Sequence, residues 1–453
     1  MKINNFKETI INFSNFLLKL NMKNILITLI LTIPILGFAQ GFQSTFGGDS
    51  LDIGNSVQQT TDGGYIITGS TGSYGNGDSD VYLLKTDANG DSLWAKTFGG
   101  ANEDFGSSLE LTLDGGYIIV GRTTYGNGDS DVYLIKTDAN GDSLWTKTYG
   151  GSSVDFGLFV VQTLDSGYII TGTTESFGNG GRDIYLIKTD ANGDSLWTTT
   201  FGGSVFDVGN CVQQTTDGGY IIMGGTNSFG NGDRDAYLIK TDGNGVEQWN
   251  QTFGGTAYDV GNSVQQTTDG GYIITGRTGS YGSGDKDVYL IKTDANGDSL
   301  WTKTFGGSAF DLGTSVKQTP DGGYIISGGT NSFGNGERDV YLIKTAGNGT
   351  ELWNKTFGGS SVDIANSLQL TSDGGYIIIG FTEYPGNGDR DLLLIKTNGN
   401  GNITSIFDVP TPNPNRKLER IVDLLGREIK PQPNTLFIEI YDDGTITKKI
   451  VVE

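Results

Sequence analysis

The chain contains no histidine and only one cysteine, and these scarcities exclude several kinds of chemistry. Without histidine, a Ser-His-Asp triad, a His-ligated metal and a histidine general base are impossible. The single cysteine, Cys211, excludes an intrachain disulfide and a cysteine-rich zinc site. Cys211 is itself expected to be a small buried residue.

Basic residues are also scarce, since 30 lysines and arginines stand against 52 acids and the formal net charge is −22. A protein of this charge repels nucleic acid and anionic lipid surfaces, so we expect no nucleic-acid partner. The composition leaves cationic partners, divalent ions and neutral sugars open. It is equally typical of a secreted protein whose charge serves solubility.

What the sequence does contain is one unit repeated seven times. Each unit carries the phrase Asp-Gly-Gly-Tyr-Ile-Ile or a close variant, and successive tyrosines are 51 or 52 residues apart. These tyrosines are Tyr65, Tyr117, Tyr168, Tyr220, Tyr272, Tyr324 and Tyr376. A fixed period of this length with strand-like content is typical of a β-propeller with one blade per repeat. We therefore predict an all-β, seven-bladed propeller over residues 41–403.

The first repeat predicts four strands, at residues 56–60, 65–71, 80–86 and 93–98. Strand four carries a tryptophan in six repeats: Trp94, Trp145, Trp197, Trp249, Trp301 and Trp353. The seventh repeat ends before this strand. Residues 42–48 align with residues 94–100, so we expect the N-terminal strand to complete blade seven and leave no open sheet edge.

Both ends of the chain differ from the repeats. Residues 1–39 are predicted to be a secretory signal peptide, with Met22 as a possible true start, an apolar run at 25–38 and cleavage after Ala39. A membrane anchor is the alternative, although the apolar run is short for a membrane span and none is expected in the mature chain. Prolines mark a stiff linker at 404–415, and residues 416–453 are predicted to be a small β appendage with a hairpin.

This tail resembles the C-terminal sorting domain of type IX secretion substrates in Bacteroidetes. The resemblance rests on Pro412-Asn413-Pro414, on the stretch from Asp423 to Glu428, and on Asp443-Gly444 followed by Lys448-Lys449. The repeats are similar to glycine-rich propellers carried by such secreted proteins. The resemblance implies a sorting signal at Asp443, Gly444, Lys448 and Lys449, recognition by type IX machinery, and an extracellular or outer-membrane-surface location.

Candidate binding residues lie in the glycine-rich loops between strands two and three. Each loop carries one aromatic residue: Tyr74, Tyr125, Phe177, Phe229, Tyr281, Phe333 and Tyr384. Aspartates recur near these loops, fourteen in all when those of the inter-blade links are included. They are Asp52, Asp80, Asp104, Asp131, Asp155, Asp183, Asp207, Asp235, Asp259, Asp287, Asp311, Asp339, Asp363 and Asp391. A face of acids and aromatics suits sugar rings or a cationic partner, whereas aspartates in every copy favour a structural role in the loops.

No residue pattern points to catalysis or to a bound metal. The hairpin Asp87-Ala88-Asn89-Gly90-Asp91 lacks calcium-loop spacing, and its Asn-Gly is kept in all copies where the acids are not. Glu110 and Lys317 depart from a repeated glutamine without forming a recognisable acid–base pair. We therefore expect a secreted, monomeric, non-catalytic scaffold without cofactor or metal, binding a glycan or an extracellular protein. The alternatives are a glycoside hydrolase or lyase that uses aspartates, and a structural surface module.

Overall fold

The computed structural model describes residues 41–126, 128–383, 388–403, 417–422, 427–430, 436–441 and 446–450. The predicted signal peptide and the proline-rich linker lie outside these residues. Every described regular element is a β-strand.

Twenty-eight strands form seven four-stranded antiparallel sheets, which are the blades. Blades one to three contain β2 (Asp52–Gln59), β3 (Tyr65–Thr71), β4 (Asp80–Thr86), β5 (Ser92–Phe98), β6 (Asp104–Leu111), β7 (Tyr117–Thr123), β8 (Asp131–Thr137), β9 (Ser143–Tyr149), β10 (Asp155–Gln162), β11 (Tyr168–Thr174), β12 (Asp183–Thr189) and β13 (Ser195–Phe201). Blades four to six contain β14 (Asp207–Gln214), β15 (Tyr220–Thr226), β16 (Asp235–Thr241), β17 (Glu247–Phe253), β18 (Asp259–Gln266), β19 (Tyr272–Thr278), β20 (Asp287–Thr293), β21 (Ser299–Phe305), β22 (Asp311–Gln318), β23 (Tyr324–Thr330), β24 (Asp339–Thr345) and β25 (Glu351–Phe357). Blade seven contains β26 (Asp363–Leu370), β27 (Tyr376–Thr382), β28 (Asp391–Thr397) and β1 (Phe42–Phe46). The predicted seven-bladed propeller is confirmed.

The ring is closed by its first strand. β1 pairs antiparallel with β28, in a register that runs from Phe42 opposite Lys396 to Phe46 opposite Leu392. The predicted closure of blade seven is therefore confirmed. Since β1 takes the outermost place in that blade, the two ends of the repeat region share one sheet.

The innermost strand of each blade is longer than the sequence predicted. In blade one it begins at Asp52 rather than at Ser56, and a β-bulge interrupts its pairing with β3 between Gly54 and Ser56. The early part of the strand depends on Gly69 of β3, where an added Cβ would lie 1.8 Å from the carbonyl oxygen of Ile53. Only glycine allows the two backbones to approach this closely.

The hydrophobic core lies between neighbouring blades. Strands two and three of blade one are buried along their whole length, and Val57 packs in one cluster with Ile379 and Leu392 of blade seven. Each tryptophan of strand four packs against the next blade: Trp94 lies 6.4 Å from Tyr117 between ring centroids. The predicted packing of strand four against its neighbour is confirmed.

The repeated Asp-Gly-Gly-Tyr phrase builds a turn that holds a buried lysine. Asp62 accepts hydrogen bonds from Thr60 Oγ1 at 2.5 Å and from Lys85 Nζ at 2.9 Å. Gly63 has a φ of +85°, and an added Cβ on Gly64 would lie 2.2 Å from the carbonyl oxygen of Thr86. The same lysine–aspartate ion pair occurs in all seven blades.

The tail forms a small sheet of its own. Its strands β29 (Leu418–Val422), β30 (Leu436–Tyr441) and β31 (Ile446–Ile450) are antiparallel and lie in that order. The sorting-signal residues Asp443 and Gly444 fall outside the described residues, and Lys448 and Lys449 lie on β31. Across the described part of the chain, the structure has no helix that is long and apolar enough to span a membrane.

Candidate functional site

The loop aromatics lie on the face of the ring that carries the strand-two-to-three loops and the inter-blade links, which we call the looped face. Phe177 packs at a tilt against Tyr185 of its own blade with 5.7 Å between ring centroids, and Tyr74 stacks on Tyr82 at 6.0 Å. The Tyr281 hydroxyl donates to the carbonyl oxygen of Gly254 at 2.8 Å. Each of these rings covers its own blade with one side. The structure does not gather them into one pocket, and Tyr384 lies outside the described residues.

The repeated aspartates do not form an acidic surface, because their exposed fractions are 3% or less. Asp52 Oδ2 accepts hydrogen bonds from Gly48 N at 2.9 Å and from Ser73 Oγ at 2.6 Å. Asp80 Oδ2 accepts from Asn76 N at 2.8 Å. These carboxylates fasten the links and loops to the blades, as the structural interpretation predicted.

Basic side chains stacked on aromatic rings dominate the looped face of blades two to six. Each cation lies over one or two rings, at 4.1 to 5.6 Å from the ring centroid. The cations are Arg122, Arg182, Arg234, Arg277, Lys286 and Arg338, and the rings are Phe105, Phe156, Phe206, Tyr258 and Phe310. We call this set the cation–aromatic arc. The arc is not visible in the sequence, because each ring comes from a strand or link that the chain places far from its cations.

The cations of the arc differ in their polar partners. In blades two and three, Arg122 faces Glu103 at 3.7 Å and Arg182 is paired with Glu175. In blade four, Arg234 Nε donates to Asn227 Oδ1 at 2.8 Å instead of to an acid. The cations of the arc that lie in blades four to six form no ion pair with any described residue: they are Arg234, Arg277, Lys286 and Arg338.

The absence of an ion pair distinguishes these four cations from Arg122 and Arg182 of blades two and three. Arg277 Nε is buried and has no hydrogen-bond partner within the described residues. Burial, together with the neighbouring Arg277, lowers the pKa of Arg338. In blades four to six these cations are not held in ion pairs with described acids. There the guanidinium groups stack on rings, while Arg234 also donates to Tyr258 Oη at 2.8 Å and Arg338 to Asn331 Oδ1 at 2.7 Å. Each guanidinium has five N–H donors, so these bonds leave further donors for another acceptor.

Cavities lie at the centre of the ring, lined by the innermost strand of each blade, and we call this region the channel. Near the looped face, asparagine side chains join neighbouring blades. Asn55 Nδ2 donates to the carbonyl oxygen of Gly106 at 2.8 Å, and Asn366 Nδ2 of blade seven donates to the carbonyl oxygen of Gly54 at 2.9 Å. Deeper in the channel, Gln58 Oε1 accepts from Leu111 N of the next blade at 3.1 Å. Side-chain amides thus satisfy backbone groups along the exposed edges of these strands.

The departures from the repeat gather in this channel. Glu110, Val161 and Lys317 occupy the position of Gln58 in blades two, three and six, and Phe159 and Cys211 occupy that of Ser56 in blades three and four. All five line one cavity of about 180 Å³. The sequence contains an indication of this cavity, because all five substitutions fall on only two positions of the repeat.

Two opposite charges face this cavity without touching. Glu110 Oε2 accepts from Gln162 N at 2.5 Å, and burial raises the pKa of Glu110 to about 7. Burial lowers the pKa of Lys317, although Cys211 and Glu110 oppose this shift. Among the described residues, the side chain of Lys317 has no hydrogen bond or ion pair. The expectation that these departures form no acid–base pair stays a prediction, but the fold places both groups in one cavity.

The hairpin between strands three and four uses its aspartate to hold the turn. Asp87 Oδ1 accepts from Asn89 N at 2.8 Å and from Asp91 N at 2.9 Å, so this carboxylate caps the turn. Within the described ranges, no group of three or more acidic or cysteine side chains could hold a metal ion.

Comparisons with known proteins give little beyond this geometry. No family model matches the chain. Over 200 residues the chain is 30% identical to the regulatory protein FlaEY of Caulobacter vibrioides, a match that covers 37% of this chain and 20% of FlaEY. The chain therefore spans about a fifth of that relative's length.

Two solved structures are similar in outline. The WD40 domain of Neurospora crassa Pan2 has a TM-score of 0.47 and 10% identity, over 80% of this chain and 97% of that domain. Sqt1 from Chaetomium thermophilum has a TM-score of 0.44 and 11% identity, over 90% of this chain and 100% of Sqt1. Both values are low, so the seven-bladed assignment rests on the strand pairing described above.

Proposed function

We propose that this protein is a secreted, non-catalytic propeller scaffold that binds an extracellular glycan through its looped face. The cation–aromatic arc is the observation that carries this proposal. Aromatic rings hold the guanidinium groups in place. The remaining N–H groups of each guanidinium can donate to the paired oxygens of a carboxylate or sulfate group. The partner is therefore an acidic glycan, although the net charge of the whole chain favours a cationic or neutral one.

The position of the arc supports an extended ligand. It crosses five consecutive blades, and its cations recur once or twice per blade. A polymer with regularly spaced negative groups matches such a row better than a single small anion. Because the four cations of the arc in blades four to six have no acidic partner, we expect the strongest ligand contacts there.

Binding to immobilised polygalacturonate, dextran sulfate and neutral dextran tests this proposal. The double variant Arg234→Ser, Arg338→Ser introduces the residue that Ser79 and Ser130 provide at the same position in blades one and two. We expect it to weaken binding to the acidic polymers at least tenfold, with a shallower dependence on salt. The control Lys96→Ser, Lys147→Ser makes the same charge change on strand four of blades one and two, outside the arc, where these lysines pair with Asp142 and Asp194.

Two results would contradict the proposal. Equal binding to neutral dextran would show that the arc does not select acidic groups. Release of reducing ends or unsaturated sugars from any polymer would show an enzyme, as in the alternative of a hydrolase or lyase. If the ligand is instead a protein, the propeller should retain that protein and should bind none of the polymers.

We also propose that export uses both ends of the chain. The predicted signal peptide at 1–39 and the tail's resemblance to type IX sorting domains support this route. Removing residues 416–453 should leave the melting curve of the propeller unchanged and retain the protein in the periplasm of its native host. Normal surface display of the truncated protein would show that the tail is not the sorting signal.

A further inference from the structure

The channel cavity has three chemically distinct sides. Glu110 of blade two and Lys317 of blade six are three blades apart in a ring of seven, so they approach the cavity from nearly opposite directions. Phe159 and Val161 of blade three give it an apolar side. The other blades present mainly glutamine and serine side chains. A volume of about 180 Å³ far exceeds the roughly 15 Å³ that one water requires.

Glu110 and Lys317 are half-buried, and their side chains lack the partners that a charge partly removed from water needs. An enclosed charge is costly unless it is paired and hydrogen-bonded. Glu110 has one backbone donor, Gln162 N, and Lys317 has no acceptor among the described residues. The repeat itself shows that neither charge is needed for closure, because blades one, four, five and seven hold a glutamine at this position: Gln58, Gln213, Gln265 and Gln369.

We propose that this cavity is a binding site for a small zwitterion, namely a free amino acid or a dipeptide with an apolar side chain. The carboxylate of the ligand pairs with the Lys317 ammonium, and its ammonium pairs with the Glu110 carboxylate. The side chain of the ligand packs against Phe159 and Val161. Such a ligand supplies both missing counterions at once, which a singly charged molecule cannot do.

Calorimetry and thermal shift with three matched probes test the proposal. L-Leucine carries both charges, 4-methylpentanoate lacks the ammonium, and 3-methylbutylamine lacks the carboxylate. We expect leucine or leucyl-leucine to bind the purified full-length protein at least tenfold more tightly than either singly charged probe. Equal binding of all probes, or no binding of any zwitterion at millimolar concentration, would overturn the site.

Variants that restore the repeat separate binding from folding. Glu110→Gln and Lys317→Gln should each lower zwitterion affinity at least tenfold while the melting temperature stays at or above that of the wild type. Unchanged leucine affinity in both variants would overturn the assignment of the two charges. Arg234→Ser, Arg338→Ser should bind leucine normally, so failure of the channel site and failure of the proposed glycan site are distinguishable.

Discussion

Phe42 lies against Tyr65 with 6.0 Å between ring centroids, at the junction where blade seven meets blade one. Each of the other six junctions has a tryptophan in this place, against the tyrosine of the following blade. The N-terminal strand therefore supplies both the hydrogen bonds and the aromatic contact that strand four supplies elsewhere. This equivalence yields the first prediction.

A chain that begins at residue 49 should be markedly less stable than one that begins at residue 41. Loss of β1 exposes the edge of β28 and removes the contact between Phe42 and Tyr65. We expect a melting temperature lower by several degrees, or aggregation, in calorimetry and light scattering. Coincident melting curves for the two chains would disprove the closure.

Trp197→Ala should destabilise the propeller by roughly 3 kcal/mol, because the indole packs against Tyr220 of the next blade. Trp197→Phe is the matched control, since the junction at Phe42 functions with a phenylalanine. Chemical denaturation measures the free energy of unfolding of both variants. Lost polymer binding with unchanged stability in Trp197→Ala would show that the tryptophan contacts a ligand instead.

Stability should fall steeply at low pH because of the lysine-bearing turns. Hydrogen bonds from Thr215 and Lys240 outweigh burial and lower the pKa of Asp217 to about 2, below its ordinary value of 3.8. A carboxyl group with a depressed pKa in the folded state stabilises the protein above pH 4, and this contribution is lost as the pH falls toward 2.

The single-blade variant Asp217→Asn isolates this effect from that of aspartates such as Asp183, whose pKa is raised mainly by burial. The melting temperature of Asp217→Asn should be lower than that of the wild type at pH 6, and the difference should shrink toward pH 2. A difference that stays constant across this range would contradict the assignment.

Folding should not require calcium. The hairpin carboxylate of Asp87 is already used by two backbone N–H groups, and other copies replace the corresponding acid with Ala346 or Asn398. Adding a chelator should leave the melting temperature within about a degree, as measured by calorimetry. A large decrease that calcium reverses would restore the metal interpretation.

The sequence predicted the architecture because every blade repeats the same strand and turn signals. It placed the start of the innermost strand too late because Gly54 looks like a loop residue, whereas the missing side chains of Gly54 and Gly69 allow two backbones to meet. Local propensity does not report such a long-range approach.

Neither the cation–aromatic arc nor the channel cavity could be found from the spacing of residues along the chain. Arg234 and Tyr258 belong to different blades, and only the ring brings them together. Glu110 and Lys317 are separated by four repeats, yet they line the same cavity. A position-by-position comparison of the seven copies identifies the channel residues as departures from the repeat. That these residues lie around one cavity follows only from the closed ring.

The pairing of β1 with β28 also fixes the order in which the ring can mature. The chain is synthesised from its N-terminus, so β1 emerges first and its partner becomes available only after the other blades have been made. Six blades can acquire all four strands as they appear, but blade seven must wait for the end of the repeat region. Until then, the first strand is an unpaired β-segment that a chaperone or a translocation channel could hold, and the circular form is completed only as a late, long-range step.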